Sequence, residues 1–533
     1  MKLVKLRVMT IKEELKIIIQ EQIAEKAIDF QILETEREEF GDYSTNITFI
    51  LAKKLGKSPK DIAEDLKNKL LMRKDVFKTI EIAGNGFVNL FLSQDYLINK
   101  LKEIKENEGN YGKIQREKPE KVQVEFISAN PTGSLHLGHG RNGFYGDTLA
   151  RVLEYAGYDV QREFYVNDAQ ESTQIKEAGR TAKGEGEQYK TQDFVDTVAK
   201  LKKELEGKEY GEAGRVIAKY YLERFQKFLA SINIKIDNYF SEQTLYEGNN
   251  KEKILEYFKK EGLSYEEGGA LWLKTSEFGD EKDRVIIRKT GDVTYFLADI
   301  LYHQDKISRG FNRIINVWGA DHQGHEKRMQ AVMNILKYEG VLEIPIIQML
   351  RLQTKEGPQK MSKRAGTVVD LEWLINQVGS DVVRFLMISS DIKSQMVFDL
   401  ELAKEKSEKN PVFYVQYALV RCYSVLRNAQ EIINKDRAKE AGLLKKDEEL
   451  ALIKQMIKFP DLILGIAENH EVHHLITYAT SLAKRIHQFY KNCHIIDEKE
   501  PKITQARLLL VETAKSVLER LFDVIGIEKI EKM

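Results

Sequence analysis

Apolar and polar positions alternate in three distinct rhythms along the chain. Residues 11–28 and 58–72 carry apolar side chains at helical spacing. Ile80-Glu-Ile-Ala-Gly-Asn-Gly-Phe-Val-Asn-Leu-Phe-Leu92 reads as strand, glycine turn, strand. These signals predict a small α+β unit over the first ~110 residues, bounded by the polar stretch 106–120. Lys121-Val-Gln-Val-Glu-Phe-Ile127 then alternates and turns apolar, as a buried strand does. From Gly138 to Tyr155 the period is helical, with Leu149, Val152, Leu153 and Ala156 on one face. Gly157 ends that helix and 160–166 reads as the next strand.

Strand, helix, strand is a βαβ unit and predicts an α/β fold built on a parallel sheet. A second unit begins at Arg313-Ile-Ile-Asn-Val-Trp-Gly319 and runs into a helix over 325–337. Between the two, 180–265 is highly charged and helical in period, as an insertion in the sheet domain would be, and 271–300 returns to strand-like alternation. From about 395 onward helical patterns dominate and strand signals are absent, which predicts an all-helical C-terminal domain.

Composition changes this picture little. The chain has 533 residues, enough for three or four domains, and is 42% hydrophobic. Basic and acidic residues balance at 83 each, so net charge points to no polyanionic partner, although a neutral total can hide a basic face. Cys422 and Cys493 are the sole cysteines, which is no disulfide framework. Charges interrupt the first residues every few positions, with no signal-peptide core, and no stretch is apolar enough for a membrane span. A soluble, cytoplasmic protein is expected.

Two stretches carry chemistry. Asn130-Pro-Thr-Gly-Ser-Leu-His-Leu-Gly-His139 lies where the first parallel strand gives way to a helix, the end at which open α/β sheets bind ligands. A helix N-terminus offers N–H groups to phosphate there, and His136 and His139 would donate ring N–H bonds to it. A glycine-rich turn with structural histidines is the simpler alternative. Lys360-Met-Ser-Lys-Arg364, between Gly357 and Gly366, puts two ammoniums on a loop that could close over a triphosphate, or else is a solvated basic turn. Gly319-Ala-Asp-His-Gln-Gly-His325 ends the second parallel strand, where Asp321 could bind ribose hydroxyls. Asp321, His322 and His325, with His303, could also be read as metal ligands, but no protein-bound metal is expected.

Glu125 and Asp299 lie near these strand ends. Two buried carboxylates without a Lys or Arg partner are costly, so a planar guanidinium would be a natural ligand. In the C-terminal region Phe413, Tyr414, Tyr417 and Tyr423 interleave with Arg421 and Arg427, and Arg485-Ile-His-Gln-Phe-Tyr-Lys-Asn-Cys493 follows. Aromatic and basic residues together suit unpaired RNA bases and phosphates, although at helical spacing half of them should be core.

Taken together, the chain resembles the class I aminoacyl-tRNA synthetases, and among them the arginyl-tRNA synthetases. Val124 through Asn142 looks like that family's extended HIGH signature, and Lys360 through Arg364 like its KMSKS loop with Arg in the last place. Asp283-Arg-Val, Tyr295-Phe-Leu-Ala-Asp-Ile-Leu-Tyr-His303, Gly319-Ala-Asp-His322 and Asn410-Pro-Val-Phe-Tyr-Val-Gln-Tyr-Ala418 also match its patterns. The resemblance implies a small α+β domain over 1–112 that touches tRNA, a Rossmann-type catalytic domain over 113–394 with a helical insertion at about 180–265, and a helical anticodon-binding domain over 395–533.

It further implies that Glu125, Ser128, Asn130, Tyr295, Asp299 and Gln323 surround L-arginine. His136, Gly138, His139, Gly319, Asp321, His322 and Met361 would hold ATP with Mg2+, and Lys360 and Lys363 would stabilise the transition state together with the two histidines. Phe87, in place of a commoner Tyr, and Asn89 would contact the D-loop of tRNA(Arg), and Tyr417 and Arg421 the anticodon side. A monomer is expected. A relative charging another amino acid, a non-catalytic RNA-binding paralogue and, more distantly, a metallohydrolase are the alternatives.

Overall fold

A computed structural model describes residues 9–23, 28–35, 37–355, 357–359, 369–434 and 436–533. The heart of the molecule is a five-stranded sheet in which every pairing is parallel. Across the sheet its strands run Val341–Glu343, Arg313–Asn316, Lys121–Glu125, Asp159–Val166, Asn238–Ser241. The chain starts in the middle, winds to one edge, then crosses back to build the other. The order therefore reverses between Lys121–Glu125 and Arg313–Asn316, and a crevice opens beyond their carboxyl ends, where doubly wound sheets bind ligands.

Three differences from the sequence pattern stand out. The 180–265 stretch is not helical throughout: after Tyr210–Ser231 it contributes the edge strand Asn238–Ser241, four half-buried residues too short to declare a period. The 271–300 stretch yields Ala270–Leu273 and Arg284–Ile287, but Tyr295 opens a helix through Ser308, its start fixed by the Thr294 side chain accepting from the Leu297 N–H at 3.4 Å. Asp299 thus sits on a helix, not at a strand end. Among the described residues beyond 395 there is one strand, Met396–Asp399, because Leu350–Thr354 offers it a parallel partner.

The N-terminal unit is a four-stranded antiparallel sheet, with Phe77–Ala83 and Phe87–Leu92 forming its hairpin. The C-terminal region packs the helices Pro411–Asn428, Asp447–Met456, Phe459–Asn469, His473–Asn492 and Pro501–Ile525. Cys422 and Cys493 are buried free thiols there.

The helix Leu137–Tyr155 joins these parts. Its Asp147 is fully buried and takes bonds from Arg384 at 2.7 Å and Arg151 at 2.8 Å, with Arg162 at 3.8 Å. Burial alone would raise the Asp147 pKa, but the three guanidiniums hold it below the ordinary carboxylate range. Arg384 also donates to the carbonyls of Ile525, at the end of the last helix, and of Ile232 and Asn233. One ionic hub therefore ties the helix Leu137–Tyr155 to the end of the last helix and to the turn that follows Tyr210–Ser231.

Candidate active site

The strand Lys121–Glu125 ends in a strained turn. Ile127 and Ser128 both have positive φ, at 67° and 40°. A β-branched residue avoids that region unless its surroundings impose it. Here Asn142 imposes it: its side-chain oxygen accepts the Ile127 N–H at 2.5 Å and its amide donates to the Val317 carbonyl at 2.9 Å. The turn is thereby pinned to both central strands.

His136 caps the helix that follows. Its Nδ1 accepts the N–H groups of Gly138 at 3.1 Å and His139 at 3.4 Å, while His139 Nδ1 accepts the His136 N–H at 3.2 Å. A nitrogen that accepts carries no proton, so both rings are neutral with the N–H on Nε2. The rings stack with centroids 3.5 Å apart, which two neutral imidazoles tolerate better than two cations. A side chain at position 138 would meet the His136 ring at 3.0 Å, hence glycine.

Lys360, Met361 and Lys363 lie outside the described residues. The chain on either side of them is anchored. The strand Gly357–Gln359 pairs with Leu350–Thr354. On the other side Leu137 donates to the Val369 carbonyl at 3.2 Å, Leu371 donates to the Leu135 carbonyl at 2.9 Å, and Asp370 bridges His136. The segment therefore re-enters the fold beside the histidine cap.

Beyond the carboxyl end of Lys121–Glu125 three acids cluster, Glu125, Asp299 and Glu242. Glu125 is buried, but not unpartnered as the sequence suggested. Lys306, with no solvent exposure, donates to its Oε2 at 2.6 Å, and the Ser128 hydroxyl to its Oε1 at 2.9 Å. The uncompensated charge belongs instead to Asp299 and to Glu242, which the sequence did not single out. Burial, then Glu125 and Glu242, push Asp299 up to about 7, against Arg328 and Lys306. Burial, with Asp168, pushes Glu242 up to about 7, against the hydroxyls of Tyr246 and Tyr165. Tyr246 donates to Glu242 at 3.2 Å. Glu242 follows directly on the unforeseen strand, so no motif marked it.

Tyr295 lies one turn before Asp299, on the same helix face, and is half exposed. Asn130, Asp321, His322 and Gln323 are exposed around the crevice, the last three on a 3-10 turn after Gly319. His303 is buried, with Nδ1 on the Asp299 carbonyl at 2.7 Å and Nε2 on Asn316 at 2.8 Å, so it does not join Asp321, His322 and His325. Among the described residues no three metal-binding side chains converge.

Two sites lie apart from the crevice. In the N-terminal sheet Phe87 is exposed, edge-on to Phe49 at 4.9 Å, whereas Asn89 is only 5% exposed. In the C-terminal domain the Arg421 guanidinium lies 4.4 Å from the ring centroid of Tyr417 and 4.9 Å from that of Tyr490, and bonds His487 at 2.9 Å. Tyr490, 46% exposed, completes that face. Among the described residues no helix is long and apolar enough to cross a membrane.

Three family models match: the arginyl tRNA synthetase N terminal domain over 9–92, the class I (R) tRNA synthetase catalytic domain over 100–401, and the DALR anticodon binding domain over 415–533. The arginine–tRNA ligase of Bacillus subtilis is 37% identical over 561 aligned positions, covering 98% of this chain and 100% of that protein. That of Desulfitobacterium hafniense is 38% identical over 527, covering 94% of each. In fold, the arginyl-tRNA synthetase of Thermus thermophilus superposes with TM-score 0.78 at 21% identity, covering 98% of this chain and 100% of the other. The methionyl-tRNA synthetase of Mycobacterium tuberculosis, at 13% identity, superposes with TM-score 0.57 over 76% of this chain and 91% of its own. A catalytic-domain match longer than half the chain, with near-full-length relatives above 30% identity, leaves one conclusion: the chain belongs to the arginyl-tRNA synthetase family of class I aminoacyl-tRNA synthetases.

Proposed function

We propose that this chain joins L-arginine to the 3′ end of tRNA(Arg) in two steps, with the acidic pocket as the arginine site and the histidine cap as part of the ATP site. In the first step the arginine carboxylate oxygen bonds to the α-phosphorus of ATP, and the bond to pyrophosphate breaks. In the second a ribose hydroxyl of the tRNA end bonds to the arginyl carbon, AMP leaves, and the hydroxyl proton is released. No protein nucleophile is needed. The enzyme positions the reactants and stabilises charge on phosphate oxygens.

The observation that carries the reading is the pairing of Asp299 and Glu242, whose charges lack a full counter-ion, with the stacked histidines across one strand-end crevice. A guanidinium would sit between Asp299, Glu242 and the fixed Glu125, with Tyr295 over one face. Ser128, Asn130 and Gln323 are suited to the arginine amino and carboxylate groups. The Nε2–H groups of His136 and His139 would donate to phosphate oxygens, and Gly138, Gly319, Asp321, His322 and Met361 would hold the rest of the nucleotide. Lys360 and Lys363 would neutralise the departing pyrophosphate. We take Mg2+ to enter with ATP, held by phosphate oxygens and water.

Phe87 offers a stacking face to the tRNA elbow, beside Asn89, and Tyr417 and Arg421 one to unpaired anticodon bases. The domains would divide at 112 and 394, with the protein acting as a cytoplasmic monomer. Pockets that pair a buried polar group reject an analogue lacking it by about 10⁴–10⁵-fold, so the 180–265 insertion need not proofread. Arginine-dependent pyrophosphate exchange with tRNA present, run beside lysine and glutamine, tests the reading. In that assay Asp299→Asn should raise the arginine KM by about 100-fold and leave the ATP KM nearly unchanged. Equal loss of both would remove Asp299 from the arginine site.

A further inference from the structure

Behind the pocket wall runs a chain of hydrogen bonds with one possible direction. The Asp299 carbonyl can only accept, so His303 Nδ1 carries the proton in its 2.7 Å bond. His303, deep in the core and held neutral by burial, then accepts at Nε2 from the Asn316 amide nitrogen at 2.8 Å. That turns the Asn316 oxygen toward Lys306, whose ammonium donates to it at 2.7 Å and to Glu125 Oε2 at 2.6 Å. Asn316 and Glu125 are register partners on the two strands that flank the crevice, so the sheet itself spaces the array. On the far side Glu125 Oε1 takes the Ser128 hydroxyl, and the Ser128 oxygen takes the Tyr165 N–H at 3.1 Å. The Tyr302 ring covers the ammonium at 4.2 Å from its centroid. Glu125 cannot turn without breaking a bond that has no replacement in the core.

We propose that Lys306, aimed by Asn316 and His303, is a positioning residue for arginine: it holds Glu125 in one orientation and locks it to the helix that carries Asp299, so that the two carboxylates meet a planar guanidinium at one fixed spacing. The proposal rests on reading the acidic pocket as the arginine site. Its consequence is electrostatic as well as geometric. Lys306 cancels the charge of Glu125, so the pocket confronts its ligand with the two carboxylates Asp299 and Glu242 instead of three. A fixed wall of that kind matches the rigid fork of arginine and gives a flexible ammonium of lysine no such advantage.

The test is a kinetic cycle with Lys306→Met, Glu125→Gln and the double variant, using pyrophosphate exchange with tRNA present and with arginine and ATP varied separately. Each single change is expected to raise the arginine KM about 10–100-fold and the ATP KM by less than about twofold, and the double variant to cost no more than the worse single one. A Lys306→Met enzyme whose arginine and ATP KM values rise together, or a double variant whose losses multiply, would overturn the proposal. If Lys306→Met does not fold, His303→Gln against His303→Leu decides. Glutamine keeps a donor and an acceptor, so its arginine KM should stay within about threefold of the parent while leucine raises it more than about tenfold. Equal KM values for the two would overturn the array. A parent enzyme that exchanges pyrophosphate with another amino acid and not with arginine would overturn the pocket reading, and the proposal with it.

Discussion

Filling the acidic pocket with a guanidinium should drive protons out of it. Asp299 and Glu242 each stand at about 7. At pH 7 such a pair carries about one proton between them, and at pH 6 nearly two. A cation between them favours their charged forms, so both pKa values fall on binding and the protons leave. The sign follows from the shift: the free-pocket values are the raised ones, so acidification favours the empty state. Arginine affinity should fall about ten- to thirtyfold from pH 7 to pH 6 and level off above about pH 8. Titration calorimetry in phosphate and in Tris buffer counts the protons, because the observed heat shifts by the number released times the buffer's ionisation enthalpy. About one proton should leave at pH 7, and about half as many from Asp299→Asn or Glu242→Gln. Buffer-independent heat at pH 7 would refute the argument, and so would tighter binding at pH 6.

Other consequences follow from the same geometry. His136→Ala removes the cap and should cost about 1 kcal/mol in denaturant unfolding, whereas His136→Asn keeps a cap and should cost little; both lose the Nε2 donor and should slow pyrophosphate exchange about 100-fold. Near-parental exchange by His136→Asn would leave the ring with a structural role alone. Asp147→Ala strands three guanidiniums and should destabilise by about 3–5 kcal/mol at neutral pH, read from denaturant midpoints. Because the folded-state pKa of Asp147 is lowered, its contribution is present above the ordinary Asp value of about 3.9 and is lost as pH falls through the folded value, so the variant's penalty should narrow in acid. Arg421→Ala should raise the KM for tRNA about tenfold and leave the arginine KM in place, and an unchanged tRNA KM would show that the Tyr417–Arg421–Tyr490 stack only packs.

Local signals in the sequence were strong where one physical requirement dominated. The alternating, then apolar run from Lys121 and the helical-period run after Gly138 are both present as the strand Lys121–Glu125 and the helix Leu137–Tyr155, with Leu149, Val152 and Leu153 fully buried. The two histidines were visible because a strand-to-helix turn rich in glycine has few uses. The edge strand Asn238–Ser241 was illegible for the opposite reason: four residues flanked by charged helices carry no period, and only the neighbouring Asp159–Val166 strand makes them a strand. Met396–Asp399 is strand for the same kind of reason.

The site divides along the same line. Residue types and their order along the chain determined that a histidine cap, a lysine loop and two acids belong to one family of enzymes. What they could not contain is which charges meet. Lys306 lies 181 residues from Glu125, and Glu242 follows a strand that has no signature. Whether a buried carboxylate stands open to a ligand or is already spent on a lysine depends on distances of a few ångströms between segments far apart in the chain. Coulomb energies and hydrogen bonds are decided at that range, so the tertiary structure alone made Glu125 a braced wall and left Asp299 and Glu242 as the pocket's unspent charge.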